Sequence, residues 1–523
     1  MSALEAKPAK KREYFHPDHL SVDLKKHALR GAGAVVFFNM SAYGIQMIGT
    51  IILARLLAPD DFGLISMVTA FSLLLQNFGV NGFTEAIIQR KEINHKLIST
   101  LFWINFVLSL ALTLLLMALA PFISGFYKEP RLVSITIAIA SSVIFAGLST
   151  HHLALMKRNM HFYGVSAIQV SATLLSVILA IALTGLGWGY WALVARRIAL
   201  PLATAVGAWI LCSWRPGLPA LRTGVKAMLR FAINTYGNFT VNYFSRNLDK
   251  MLIGWRFGTQ SLGFYDRAYH LFSMSANQLT HPVTSVAVAA LSRLCNNPER
   301  YRRYYIHALS MIAFVGMPIS AMLFLIANDL TLLLLGPQWN KTGQILSIFA
   351  ASLGIMLLYS THGWLHLSLG RPDRWFRWGI IAFVVTTLSF LVGLPFGILG
   401  VTIAYTVSFY LLIGPGLWYA SRPINLKFAP LVSEIWRYCL CAVGAGFLCW
   451  YILYSVDWTS AIFLELNVFI RIIVSFLLCG SVYLLLIIVA YQSVQPISQF
   501  KSVLREMVPK SKIGSSKKRG VGG

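Results

Sequence analysis

The chain has 523 residues, of which 57% are hydrophobic and only 12% are charged. Soluble domains usually contain about a quarter of charged residues, so the composition excludes a soluble globular protein and indicates an integral membrane protein. The formal charge of +26 would suggest nucleic-acid binding in a soluble protein. In a membrane protein, the distribution of that charge across the loops has to be considered first.

Apolar runs of about 20 residues, the length that crosses a hydrocarbon core as a helix, recur along nearly the whole chain. Ahead of the first run, nothing resembles a cleaved signal peptide. We predict fourteen transmembrane spans, at 32–57, 62–88, 97–120, 132–150, 162–184, 188–212, 225–255, 262–290, 304–327, 342–367, 376–394, 399–419, 435–455 and 467–490.

Lys and Arg residues are concentrated in alternate loops. If the N-terminus is cytoplasmic, the cytoplasmic segments hold 32 of them and the opposite side holds four, Lys128, Arg131, Arg256 and Lys341. This asymmetry follows the positive-inside rule. We therefore expect both termini to be cytoplasmic, and no nucleic-acid partner is needed to explain the charge.

Two stretches of the chain resemble each other at a distance of 200 residues. Residues 51–67 end the first span and open the second, and residues 251–268 do the same for the seventh and eighth, with Gly63 and Gly263 in equivalent turns. Internal repeats of this kind are typical of transporters that bind substrate between two halves.

The predicted fold is therefore an all-α polytopic membrane protein, with two six-helix lobes around a central cavity and two additional C-terminal helices. The predicted segments are a cytoplasmic tail (1–31), an N-terminal lobe (32–212), a cytoplasmic linker (213–224), a C-terminal lobe (225–419), the last two spans (435–490) and a basic cytoplasmic tail (491–523).

Four predicted spans carry polar residues at helical spacing, and they are the first two spans of each half. Such faces must contact another helix or water, because lipid offers no hydrogen-bond partner. We expect them to line a water-accessible chamber. The polar residues expected there are Asn77, Asn81, Glu85, Asn238, Asn242, Asp249, Asp266, His270, Asn277 and His281.

Basic residues predominate among the charges within the spans. Arg246, Asp249 and Lys250 share one helical face at i, i+3 and i+4, so Asp249 neutralises one cation and leaves the face positive. Guanidinium groups bind phosphate oxygens through two parallel hydrogen bonds, which favours a phosphate-bearing substrate. The cations expected to bind it are Arg246, Lys250, Arg267, Arg55, Arg196 and Arg197.

Two other interpretations of these charges remain open. The cations can be neutralised internally, by pairs such as Arg246 with Asp249 or Asp266 with Arg267. The carboxylates and histidines can bind or pass protons, or they can be hydrogen-bonded structure; these residues are Glu85, Asp249, Asp266, His270 and His281.

Four stretches of the chain resemble a known family. They are ARLLAPDDFGLISM (54–67), FGVNGFTEAIIQRKEI (78–93), NLDKMLIGWRFGTQSLGFYDRAYHL (247–271) and SLGRPDRWFRW (368–378). They are similar to the polysaccharide transporter (Wzx-type flippase) family of the multidrug/oligosaccharidyl-lipid/polysaccharide (MOP) superfamily, on its colanic-acid exporter-like branch. The resemblance covers roughly residues 28–420.

The resemblance implies a flippase of the bacterial inner membrane. Its expected substrate is an undecaprenyl-pyrophosphate-linked oligosaccharide for O-antigen, capsule or exopolysaccharide assembly, moved outward by alternating access of the two lobes. The implied partners are this substrate, membrane lipids, and the polysaccharide polymerase and export machinery. No catalytic residue, cofactor or metal is expected.

Three alternative functions belong to other classes. A drug or cation antiporter of the same superfamily would need unpaired carboxylates within the membrane, whereas bases predominate here. A membrane polymerase or ligase would need a sizeable catalytic loop, and none is predicted. A structural or scramblase-like protein without coupled transport is also compatible with the sequence.

Overall fold

A computed structural model describes residues 24–89, 93–220, 225–498 and 500–501. Within these ranges, every regular element is a helix. The main helices are α1 (Leu24–Leu56), α2 (Pro59–Gln89), α3 (His95–Ala118), α4 (Ala120–Tyr127), α5 (Leu132–Arg158), α6 (Phe162–Gly185), α7 (Tyr190–Leu211), α8 (Val225–Leu294), α9 (Pro298–Leu335), α10 (Asn340–Ser360), α11 (His362–Ser368), α12 (Pro372–Gly393), α13 (Gly397–Ser421), α14 (Phe428–Trp450), α15 (Asp457–Glu465) and α16 (Val468–Tyr491).

The chain is a multi-pass membrane protein. In the described part of the chain, ten helical segments are long and apolar enough to cross a membrane, and one of them, Pro372–Ile424, contains both α12 and α13. The number of crossings in the bilayer, predicted as fourteen, stays a prediction.

Two breaks in the helices lie 200 residues apart. α1 ends at Leu56 and α2 begins at Pro59, whose fixed φ suits the first turn of a helix. Within α8, Gly258 has φ 79° and ψ −173°, a backbone conformation that a β-carbon disfavours. α8 therefore consists of two helical arms, which coincide with the predicted seventh and eighth spans.

The helices group into two compact units. The first contains the described residues of Met1–Leu271, Leu330–Leu346 and Gly379–Ser408. The second contains those of Phe272–Asp329, Ser347–Trp378 and Phe409–Gly523. Each unit combines separate stretches of chain, whereas the predicted lobes are continuous, and the lobe boundaries stay a prediction.

Small residues allow close helix contacts in the first unit. The α-carbon of Gly147 in α5 faces the side chain of Ser109 in α3, and that of Gly49 in α1 faces Val177 in α6. Close approach of this kind is how membrane helices gain van der Waals energy, since lipid provides no hydrophobic drive for association.

An aromatic core joins α9, α14 and α16 in the second unit. Tyr483 donates a hydrogen bond to the carbonyl of Phe314 at 3.0 Å, and Ser310 donates to the hydroxyl of Tyr438 at 3.2 Å. These hydroxyls are buried, so the bonds avoid the cost of unsatisfied polar groups.

An ion pair attaches the last helix to the same unit. Nε of Arg471 in α16 donates to Oδ2 of Asp329 in α9 at 3.1 Å, and Nη2 contacts Oδ1. The two side chains are 16% and 6% exposed. Arg471, which lies within the predicted span 467–490, therefore has a carboxylate partner.

Candidate functional site

The turn between α1 and α2 packs directly on the kink in α8. A methyl group on Gly63 would overlap the carbonyl oxygen of Thr259, and a methyl group on Gly263 would overlap that of Pro59. The hydroxyl of Thr259 also donates to Oδ1 of Asp60. The two helices therefore meet backbone to backbone, which only glycine permits at both points.

Asp266 lies between two cations in α8. Its Oδ1 accepts a hydrogen bond from Lys250 Nζ at 2.7 Å, and its Oδ2 accepts one from Arg267 Nη2 at 2.6 Å. Both carboxylate oxygens are thus occupied by charge-assisted bonds. This confirms in part the internal ion pairing that the sequence left open.

The bend at Gly258 explains the pair between Lys250 and Asp266. Each of these residues is eight positions from Gly258, so each lies about 12 Å along its arm from the bend, at 1.5 Å per residue. A salt bridge of 2.7 Å at that distance requires the two arms to fold back on each other. The bend at Gly258 therefore brings Lys250 of the first arm to Asp266 of the second.

Asp249 is buried next to this pair. Its Oδ2 accepts a hydrogen bond from the hydroxyl of Tyr265 at 2.7 Å. The residue is 2% exposed, and its Oδ1 has no hydrogen-bond partner in the described structure. The two aspartates of α8 thus differ, because Asp266 is saturated with donors and Asp249 is not.

Three further predicted residues lie within electrostatic range of the same cluster. Arg196 of α7 experiences the charges of Arg197 and Arg267, and Arg197 experiences that of Asp266. His270, one helical turn after Asp266, experiences the charges of Asp266 and Arg267. α7 and α8 together therefore assemble four Lys and Arg side chains and one histidine.

The accessible part of the cluster is cationic. The Lys250 and Arg267 side chains are 17% and 15% exposed, against 10% for Asp266, and Arg197 is exposed. The Arg267 Nε, moreover, has no hydrogen-bond partner among the described residues. This nitrogen is buried, as are both carboxylates, and Arg197 presents the most exposed positive charge of the cluster.

Arg55 has a different environment from these cations. Its guanidinium donates to the carbonyl of Leu334 at 3.3 Å and to that of Leu333, both in the last turn of α9. A cation here satisfies carbonyls that have no partner within the helix and complements the helix dipole. The structure gives Arg55 the role of a helix cap.

The remaining predicted residues are not placed in the cluster. Asn277 is exposed and belongs to the second unit. No group of three metal-ligating side chains occurs in the described ranges. The other predicted side chains lie outside the described part of the structure: Asn77, Asn81, Glu85, Asn238, Asn242, Arg246 and His281.

Aromatic residues of the cluster were not predicted. Lys250 Nζ lies 5.0 Å from the centroid of the Tyr269 ring, and Arg267 Cζ lies 4.8 Å from that of Phe62. Aromatic faces attract cations in this geometry. A signal was available in FYDRAYH (264–270), where Tyr265 and Tyr269 are one turn apart beside Asp266.

A second charged group lies at the outer end of the first unit, by the predicted topology. Arg131 Nη1 is 3.1 Å from Oδ2 of Asp60, and its Nε is 2.8 Å from Oε1 of Glu129. The hydrogen bond from Arg131 lowers the pKa of Glu129. These contacts connect the α1–α2 turn to the loop before α5.

Comparison with known proteins supports the resemblance read from the sequence. Residues 52–344 match the sequence model of a family described as polysaccharide biosynthesis protein. The teichuronic acid biosynthesis protein TuaB of Bacillus subtilis is 24% identical, over 90% of this chain and 96% of that protein. The lipopolysaccharide biosynthesis protein WzxC of Escherichia coli is 22% identical, over 78% of this chain and 85% of that protein.

Solved structures show a related fold. The lipid II flippase MurJ, in an inward closed conformation, superimposes with a TM-score of 0.70 at 15% identity, covering 87% of this chain and 99% of that one. An inward-facing multidrug transporter of the MATE family superimposes with a TM-score of 0.58 at 14% sequence identity, covering 74% of this chain and 98% of that one. Because the family match includes more than half of the chain, this protein belongs to the polysaccharide biosynthesis protein family.

Proposed function

We propose that the protein is a flippase that moves an undecaprenyl-pyrophosphate-linked oligosaccharide from the cytoplasmic to the outer leaflet of the bacterial inner membrane. The observation that carries the proposal is the cluster of Lys250, Arg267, Arg196 and Arg197, in which Arg197 is exposed and the other three are partly exposed, while Asp249 and Asp266 are buried. Relatives that are named for polysaccharide biosynthesis support the substrate class.

The proposed role of the cluster is to bind the pyrophosphate. Phosphate oxygens accept charge-assisted hydrogen bonds from guanidinium and ammonium groups, and the exposed guanidinium of Arg197 can donate them. In a site of low dielectric, the substrate's negative charge would offset the mutual repulsion of these cations. Arg246 is included on the basis of its sequence position, three residues before Asp249.

The proposed architecture is the one predicted from the sequence. It has fourteen transmembrane helices, two six-helix lobes around a cavity, and cytoplasmic termini. Alternating access then requires the substrate to bind the two conformations with different affinities, because only such a difference can shift their populations. Transfer to polymerase and export machinery on the outer side is part of the same proposal, as is the absence of a catalytic step.

The engagement of Asp266 by two cations argues against its use in cation antiport. An antiporter needs a carboxylate that can exchange its ion, whereas Asp266 is held by Lys250 and Arg267. The likeness to a MATE transporter concerns the fold, and the same fold can contain sites of opposite charge.

Complementation of a null strain tests the proposal. Lys250→Ala and Arg267→Ala should each reduce surface polysaccharide by more than tenfold at normal membrane protein levels, whereas Lys250→Arg should restore part of the output. Arg300→Ala, an exposed arginine of α9 outside the cluster, is the matched control. Wild-type polysaccharide from both alanine variants would overturn the anion-binding role.

A further inference from the structure

A basic and aromatic patch lies in the second unit, away from the α8 cluster in sequence. We name it the Tyr419 patch, and it is formed by the turn between α11 and α12 together with the end of α13. It comprises His366, Arg371, Arg374, Trp375, Arg377, Trp418, Tyr419 and Arg422.

Tyr419 holds the three helices of the patch together. Arg374 Nη2 donates to its carbonyl at 2.7 Å, and the guanidinium lies 4.3 Å from its ring centroid. The ring of Trp378 stacks on it at 5.7 Å, and the ring of His366 is 5.9 Å away. α11, α12 and α13 therefore meet in a fixed arrangement at this point.

Two buried nitrogens of the patch have no hydrogen-bond partner in the described structure. They are Nε2 of His366, a residue that is 1% exposed, and Nε of Arg374. Buried polar groups are normally satisfied. Two such groups beside one tyrosine leave unused hydrogen-bonding capacity beneath the surface of the patch.

The outer surface of the patch is positive and aromatic. Arg371 and Arg377 are exposed, and Arg422 Cζ lies 3.8 Å from the ring centroid of Trp418, which is 47% exposed. In the segments 366–378 and 418–424, Asp373 is the single acidic residue against four arginines. The surface is therefore complementary to an anion with an adjoining apolar part.

We propose that the Tyr419 patch binds the headgroup of an anionic phospholipid. The positive-inside rule places these arginines at the cytoplasmic leaflet, whose anionic lipids attract basic residues next to transmembrane helices. Exposed Trp rings beside them suit the headgroup region, and the lipid phosphate can accept charge-assisted hydrogen bonds from the exposed Arg371, Arg377 and Arg422. This lipid is a bound membrane component, distinct from the transported substrate.

Native mass spectrometry of the full-length protein tests the proposal. The protein is extracted from vesicles with equal amounts of phosphatidylglycerol and phosphatidylcholine, and retained lipids are counted. Wild type should retain phosphatidylglycerol preferentially. The double variant R371Q/R377Q, which removes two exposed charges, should lose that preference by about tenfold, whereas R300Q/R303Q at the start of α9 should keep it.

Three results would overturn the proposal. They are equal retention of the two lipids by wild type, unchanged retention by R371Q/R377Q, and displacement of the lipid by inorganic phosphate alone. Retention by R300Q/R303Q that falls as far as in R371Q/R377Q would show general surface attraction and would also count against it. Lipid retention is measured without any transport step, so the lipid proposal and the flippase proposal can fail independently. Polysaccharide output from R371Q/R377Q in the null strain tests transport on its own.

Discussion

Gly63 and Gly263, 200 residues apart in the chain, lie against each other's helix in a reciprocal contact. Gly63 faces the carbonyl of Thr259 and Gly263 faces that of Pro59, and Pro59 and Thr259 are themselves 200 residues apart. A duplicated hairpin that packs on its copy produces such reciprocity. The faint repeat in the sequence therefore has a structural counterpart in the first unit.

Substitution of Gly63 by Ala should destabilise the protein. The added methyl group overlaps a backbone carbonyl that cannot rotate away, so the helices must separate, at about 1–3 kcal/mol for overpacking. Thermal unfolding in detergent measures the effect. Gly44→Ala in α1 is the control, because nothing lies within 4 Å of a methyl group there and Ala favours the helix. An equal melting temperature for Gly63→Ala and wild type would contradict the contact.

The side chains of Lys250 and Asp266 should contribute to the free energy of unfolding as a pair, so that their single substitutions are not additive. Asp266→Ala leaves two cations without their carboxylate, and breaking a buried ion pair costs about 3–5 kcal/mol. We expect Asp266→Ala to lower the melting temperature more than the double variant Lys250→Ala/Asp266→Ala. Additive losses in the double-mutant cycle would show that the two side chains do not interact.

The ion pair between Asp329 and Arg471 should decide whether the last helix stays attached. Arg471→Ala leaves Asp329 buried without a partner, so we expect reduced stability and faster proteolysis within residues 457–491. The exchanged pair Asp329→Arg/Arg471→Asp restores opposite charges and should recover part of the loss. Lys427→Ala, outside this ion pair, serves as the comparison. If the exchanged pair is no better than Arg471→Ala, the role of the ion pair is refuted.

The sequence predicted the helical fold and the basic character of the cluster, for identifiable reasons. Hydropathy and charge are properties of local sequence, so the helices and the basic character can be predicted from short stretches of chain. The break near Gly258 can be predicted because this stretch repeats the turn at Ala58, 200 residues earlier. Which side chains form hydrogen bonds and ion pairs with each other cannot be predicted from local sequence. Asp249 was expected to neutralise one cation on its own helical face. Its hydrogen bond comes from Tyr265 of the other arm, and Lys250 binds Asp266, while the Arg246 side chain lies outside the described structure.

Arg55 shows a second limit of sequence reasoning. A cation near the end of a predicted span has the same sequence signature whether it lines a cavity or caps a helix. Its partners, the carbonyls of Leu333 and Leu334, are about 280 residues away, and no periodicity connects them. Tertiary packing alone decided the role.

Asp249 provides the sharpest test of energy coupling. It is buried with one oxygen that lacks a partner, and an isolated buried charge is costly, so we propose that it binds the coupling proton or cation. Asn has nearly the same shape and retains an acceptor for the Tyr265 hydroxyl. We therefore expect Asp249→Asn to keep the wild-type melting temperature while surface polysaccharide in the null strain falls by more than tenfold.

The variant Tyr265→Phe completes this test. It removes the hydroxyl that donates to Asp249 at 2.7 Å but keeps the carboxyl group, so transport should persist if the carboxyl is the coupling group. A structural hydrogen bond would give the opposite result, because Asp249→Asn would then preserve both stability and output while Tyr265→Phe would lower stability by about 1 kcal/mol. Polysaccharide output and melting temperature, measured on both variants, therefore discriminate a coupling carboxyl from a structural one.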